Sequence, residues 1–257
     1  MIRLLEAVLS AAAWVGVSIM TVLDTLAILV IYLLRRRVDP ELRLAHEAAS
    51  LWGRSLMALA PGCRVEVLGR ENLPRDRPVI LMANHQSYVD VPALFFVRRQ
   101  FKWMADVDLF RIPVFGWAMG WAGYVPVQRG DARAAIRSLE QAKRWLRNGI
   151  SIFIFPEGTR SHTGVLGRFL TGGFRLAVGA QAPIVPVVVT GTRQLLPRGS
   201  WIFRWGMRVR IQILPPIQPG KGRGAVHPLA QQVRARVRQA YQEGLEALRR
   251  PAGDVLP

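Results

Sequence analysis

Cysteine is nearly absent from this chain. Cys63 is the only one, so no disulfide framework and no cysteine-based zinc site can be built. Histidine is almost as scarce. His46, His85, His162 and His227 show no metal-binding spacing, which argues against a protein-built metal site. No Gly-x-Ser-x-Gly elbow and no Walker-type loop occurs, so no enzyme nucleophile stands out. Lysine is confined to Lys102, Lys143 and Lys221, so the 35 basic residues are nearly all arginine. They face only 17 acids, leaving a formal net charge of +18. Genome composition accounts for part of an arginine excess. The rest favours anionic partners: acidic lipid surfaces, phosphorylated substrates or nucleic acid.

Long apolar runs are abundant at the amino terminus. Residues 7–34 carry one ionisable group, Asp24. As a helix they would extend about 42 Å, more than the roughly 30 Å hydrocarbon core of a bilayer. A spanning helix therefore fits. A carboxylate at membrane depth is costly, so a break near Gly16 or Asp24, giving a helix that dips into one leaflet, fits nearly as well. A cleaved signal peptide fits less well, because Arg3 is balanced by Glu6 and the run is too long. The "RRR" at 35–37 puts the downstream chain on the cytoplasmic side, in a bacterium that of the inner membrane. Nucleic acid accounts for the charge but not for this segment, and is not expected as a partner.

Residues 40–61 read as a second helix that starts near Pro40 and stops at Pro61–Gly62. Its apolar stripe is Leu44, Ala48, Leu51, Leu56 and Leu59, and His46 reads as structural. The pattern divides the chain into a membrane-embedded two-helix segment, 1–61, and a catalytic domain, 62–257. In the second part, strands are expected at 63–69, 78–84, 123–129, 151–157, 183–191 and 207–214. A helix over 131–149 has Asp131 as N-cap, a core stripe of Ala135, Leu139, Ala142 and Leu146, and a solvated arginine face. Alternating strands and helices imply an α/β fold whose central sheet, largely parallel or mixed, is flanked by helices.

Ligands in such folds sit beyond the carboxyl ends of the strands. Three apolar runs end in polar clusters: "NHQSYVD" (84–90), "QRGD" (128–131) and "PEGTRS" (156–161). These gather His85, Asp90, Arg129, Glu157, Gly158, Thr159 and Arg160 at one edge. On a regular helix His85 and Asp90 would point some 140° apart, so they meet only across a tight turn. Meeting, Asp90 would fix the tautomer of His85 and leave Nε2 as a base. The alternative is a capping Asp90 beside a buried, hydrogen-bonded His85. Gly158 lets backbone donors approach an oxyanion, Arg160 offers a fork for phosphate, and Glu157 could position an arginine or accept a substrate hydroxyl. Ser87 is a weaker candidate for an activated hydroxyl.

"NHQSYVD", "RIPVFGWAMGWAGYVPVQR" (111–129), "FPEGTRS" (155–161) and "PIVPVVV" (183–189) together resemble the blocks of the glycerolipid acyltransferase family, specifically the 1-acyl-glycerol-3-phosphate acyltransferases. The resemblance covers about residues 63–215. It implies that His85 is the general base and Asp90 its partner. It also implies that Arg129 and Arg160 hold the acceptor phosphate, with Glu157, Gly158 and Thr159 shaping the acceptor and oxyanion region. The implied reaction carries an acyl chain from acyl-CoA or acyl-carrier protein to a lysophospholipid hydroxyl, without cofactor or metal, at a membrane bilayer. Asp106 stands where the family commonly has a lysine, and Lys102 is out of register. That departure brings in another acceptor, such as a lyso-ornithine lipid, as an alternative. A non-catalytic, basic lipid-binding protein is the alternative of a different class.

Overall fold

A computed structural model describes residues 2–60 and 62–249, with side chains from residue 4 onward. The expected stop at Pro61 and the last part of the 62–257 segment lie outside the described residues. Two helices open the chain, α1 (Ile2–Arg35) and α2 (Arg43–Ala58). Strand β1 (Arg64–Leu68) and strand β2 (Ile80–Ala83) precede the short helix α3 (Asp90–Leu94). Then come β3 (Phe101–Asp106), α4 (Val107–Phe110), α5 (Phe115–Trp121), β4 (Val125–Val127) and α6 (Ala132–Arg147). The chain continues through β5 (Ser151–Ile154), α7 (Gly172–Ala180), β6 (Ile184–Thr190), α8 (Thr192–Leu195), β7 (Arg208–Ile213) and α9 (Val226–Arg249).

The seven strands form one sheet in the order β1-β7-β6-β2-β5-β3-β4. All neighbours are parallel except β6 and β7, so the sheet is mixed. The central strands β2 and β6 are buried throughout, as two-sided coverage by helices demands. One core lies between the sheet and α2, α3 and α5; the other lies between the sheet and α6, α7 and α9.

Each of the six expected strands is present. The seventh, β3, was not expected, because Lys102 interrupts its apolar run. Lys102 is fully buried there and donates from Nζ to the carbonyls of Leu42, 2.9 Å, and Ala122, 2.8 Å. Two carbonyl acceptors offset part of the cost of burying an amine, and burial lowers its pKa to about 7.

The amino-terminal helices correct three expectations. First, α1 is continuous, with no break at Gly16 or Asp24. Gly16 allows Leu59 close approach: an added Cβ would lie 3.4 Å from its Cδ1. The helix is tied down at Ser10, whose Oγ accepts from the amide of Phe203, and at Trp14, whose Nε1 donates to the carbonyl of Trp201. Second, α2 begins at Arg43 rather than near Pro40, because Asp39 accepts from the amide of Leu44 and Leu42 takes a left-handed conformation. Third, its buried face is Ala45, His46, Ala49, Ser50, Gly53 and Met57, while Leu44 and Leu51 point outward. Small side chains let α2 lie close to the core, and Gly53 packs against the ring of Phe95. In α6, Asp131 caps the amide of Ala134 as expected, and the buried positions are Ala134, Ser138, Ala142 and Leu146. That face is turned slightly from the expected stripe, leaving Ala135 and Leu139 half-buried.

Candidate active site

Strands β2, β5, β3 and β4 run parallel side by side, so their carboxyl ends open at one edge of the sheet. Past the end of β2 the chain is anchored by Asn84, fully buried. Its amide group both donates to and accepts from the backbone of Val189 in β6, at 2.8 Å each. The next residues turn into α3, and this turn brings His85 to Asp90. His85 Nδ1 lies 2.8 Å from Asp90 Oδ2, which also accepts from the amides of Gln86, 2.6 Å, and Ser87, 2.8 Å. Oδ1 accepts from the hydroxyl of Thr192. Asp90 is thus a fully buried carboxyl group whose two oxygens are occupied by His85, Gln86, Ser87 and Thr192. As acceptor it requires the proton of His85 on Nδ1, which leaves Nε2 as the basic nitrogen.

The imidazole stacks on Phe155, centroids 4.0 Å apart, and faces a cavity of about 580 Å³. His85, Arg129, Gly158, Thr159 and Arg160 all line that cavity. Asp90 and Glu157 lie behind it. Glu157 is therefore a correction: it neither positions an arginine nor reaches the acceptor space. Its Oε1 accepts from the amide of His85, 2.8 Å, and its Oε2 from that of Gly167, 2.7 Å. It clasps the two loops together. Burial raises its pKa, against the pull of these two amides.

Gly158 lines the cavity without offering it its own amide. Its amide donates to the carbonyl of Phe155, 3.0 Å, and is not available to an oxyanion. Its φ of +71° turns the loop, and a Cβ there would meet Leu170 Cδ1 at 2.7 Å. The carbonyl of Gly158 accepts from Arg129. Arg129 in turn lies 3.1 Å from the carboxylate of Asp106, which lines the cavity too. Among the described residues Arg160 has no carboxylate partner; its guanidinium stacks over the ring of Tyr88, 3.4 Å from the centroid. Ser87 is excluded as a nucleophile, because its buried hydroxyl donates to the carbonyl of Leu196. Among the described residues no group of three or more His, Cys, Asp or Glu side chains is placed to hold a metal ion.

The model of the Acyltransferase family matches residues 64–190. A 1-acyl-sn-glycerol-3-phosphate acyltransferase of Pseudomonas aeruginosa is 31% identical over 193 residues, which cover 73% of each chain. The chain belongs to the 1-acyl-sn-glycerol-3-phosphate acyltransferase family. A chloroplastic member from Arabidopsis thaliana is 38% identical over 71% of this chain. The chain spans about half the length of that relative, 51%. The crystal structure of the 1-acyl-sn-glycerophosphate acyltransferase from Thermotoga maritima superposes with a TM-score of 0.80 at 28% identity, covering 96% of this chain and 98% of that one.

Thr192, Phe155 and Tyr88 were missed as site residues by sequence reasoning. Thr192 had a signal: it follows the carboxyl end of β6, the same kind of position that picked out the other loops.

Proposed function

We propose that this protein transfers a fatty acyl chain from an acyl thioester, acyl-CoA or acyl-carrier protein, to the sn-2 hydroxyl of 1-acyl-glycerol-3-phosphate, giving phosphatidic acid. The observation that carries this reading is the oriented His85–Asp90 pair at the wall of the cavity that Arg160 also lines. Nε2 of His85 takes the proton of the acceptor hydroxyl as its oxygen attacks the thioester carbonyl. A C–O bond forms, the C–S bond breaks, and the departing thiolate recovers the proton from His85. No protein nucleophile and no cofactor is required. Arg160, stacked on Tyr88 and without a carboxylate partner among the described residues, suits the acceptor phosphate; Arg129, partly neutralised by Asp106, lines the same cavity. The apolar body of the cavity suits the acyl chain.

Residues 1–61 serve in this reading as the membrane segment, and 62–257 as the catalytic domain. Helix α1 includes a 32-residue stretch, with an 18-residue window of mean hydropathy 2.3, long and apolar enough to cross a membrane, and its Val8, Val15, Leu23 and Leu26 are exposed. The arginines at 35–37 favour a catalytic domain on the cytoplasmic face, in a bacterium that of the inner membrane. Asp106 favours one second reading: an acceptor whose head group carries an ammonium, such as a lyso-ornithine lipid.

The test is purified full-length protein given a labelled acyl thioester with 1-acyl-glycerol-3-phosphate or lyso-ornithine lipid. Labelled phosphatidic acid is expected. Product only from lyso-ornithine lipid selects the second reading; free fatty acid without acceptor means a hydrolase. No product at all leaves a lipid-binding protein and rejects the proposal.

A further inference from the structure

The cavity that begins at His85 extends to the first two helices. Thr21, Asp24, Thr25 and Ile28 of α1 line it, at the spacing that puts side chains on one helix face, and Trp52 of α2 stands beside them. The neighbouring Val22, Leu23 and Leu26 are exposed on the other side. The lone acid of the apolar stretch 7–34 therefore faces the cavity rather than the outer surface.

Its neighbours are already bonded. The hydroxyl of Thr21 donates to the carbonyl of Val17, 2.7 Å, and accepts from Trp52 Nε1, 3.1 Å. Thr25, buried, donates to the carbonyl of Thr21, 2.8 Å. Asp24 is half-buried and has no hydrogen bond or ion pair among the described residues. The cavity's two arginines belong to the strand-end loops, and Asp24 pairs with neither. A carboxyl group in an apolar chamber costs free energy unless something donates to it.

We infer that Asp24, with Thr21 and Thr25 beside it, forms a polar subsite in the acyl cavity that takes a hydroxyl group carried on the donor's acyl chain. This rests on the acyltransferase reading above and narrows its donor to hydroxylated chains. A hydroxyl suits the place better than an ammonium, because the surrounding Ile28, Trp52, Phe115 and Met119 make desolvation of a full charge expensive. Whether ionised or protonated, a carboxyl group accepts a hydrogen bond from the hydroxyl.

Acyl thioesters of one chain length, plain or hydroxylated at successive carbons, would be given to the full-length protein with plain 1-acyl-glycerol-3-phosphate. One hydroxyl position is expected to raise kcat/KM about tenfold over the plain chain, the size of one hydrogen bond to a carboxylate. Asp24→Leu should abolish or invert that ratio, and Asp24→Asn, which keeps an acceptor, should retain part of it. Circular dichroism and melting verify that both variants fold, and the ratio within each variant cancels any loss of active protein. Equal use of all chains by the unaltered protein overturns the inference. So does a preference that survives in Asp24→Leu, or one that follows a hydroxyl placed on the acceptor's chain instead. Transfer without preference rejects this inference alone; absence of any transfer rejects the acyltransferase reading with it.

Discussion

Thr192 donates its hydroxyl to Oδ1 of Asp90, while Oδ2 of the same carboxylate holds Nδ1 of His85. The first contact comes from α8 and the second from the turn before α3, so two distant segments fix one acid. Thr192→Val would leave Oδ1 buried without its donor, at a cost of about 1–3 kcal/mol. We expect kcat to fall about tenfold with acceptor KM unchanged, and Thr192→Ser to restore it. A raised KM with normal kcat would mean that Thr192 acts on binding instead.

His85→Ala removes the base and is expected to abolish transfer. Asp90→Asn cannot hold the same tautomer and should lower kcat by roughly 10²–10⁴. Membrane attachment, read by flotation with vesicles, should persist in both. Turnover like that of the unaltered protein in either variant would remove the pair from the chemistry.

Arg160→Ala should raise acceptor KM about tenfold or more, with a smaller change in kcat. Arg160→Lys is expected to recover little, since an ammonium lacks the planar fork and stacks poorly on Tyr88. Arg129→Ala should cost less, its charge being shared with Asp106. The reverse order of the two effects would reassign the phosphate to Arg129.

Glu157→Gln tests the clasp. One of its two oxygens would become an amide NH2 group, a donor facing a backbone N–H that also donates, either that of His85 or that of Gly167. A loss of about 1–3 kcal/mol of stability is expected, measured by denaturant unfolding. Normal stability would place the clasp elsewhere.

His46 supplies a pH signature. It is buried between α2 and β3, and its Nε2 donates to the carbonyl of Arg99 while Nδ1 accepts from Tyr124. That pattern needs the neutral ring. Burial first, then the charge of Lys102, lowers its pKa from 6.5 to about 3. Between those values the unfolded chain binds a proton that the folded protein does not. Stability from this group is therefore complete above about pH 6.5 and is lost as pH falls toward 3. From pH 7.5 to 5 the unaltered protein should lose about 2 kcal/mol more than His46→Gln, which keeps a donor and an acceptor but does not titrate. Equal losses would show that His46 is not held neutral.

Much of the site was legible because strands ending in polar loops, in a parallel arrangement, have only one edge at which to meet. His85, Asp90, Arg129, Thr159 and Arg160 followed from that rule. Glu157 fell in the right loop with the wrong partners, since sequence gives no account of which backbone amides a buried carboxylate will accept from. Thr192 could have been found by the same rule, since it follows the carboxyl end of β6. The fold was legible wherever apolar runs were unbroken. It was missed at β3, where a buried lysine is stabilised by carbonyls far away in sequence. The face of α2 was misread for a related reason: the stripe was drawn through its leucines, two of which are exposed, while mostly small residues form the side that packs close. Only contact with a neighbouring helix tells them apart.

Because α1 lends four side chains to the chamber, the first helix is one of its walls. Trimming the protein back to its sheet, a natural step toward easier handling, would strip one side from the chamber and let water flood it. A shortened protein that fails would then say nothing against His85; it would have been tested with the door off.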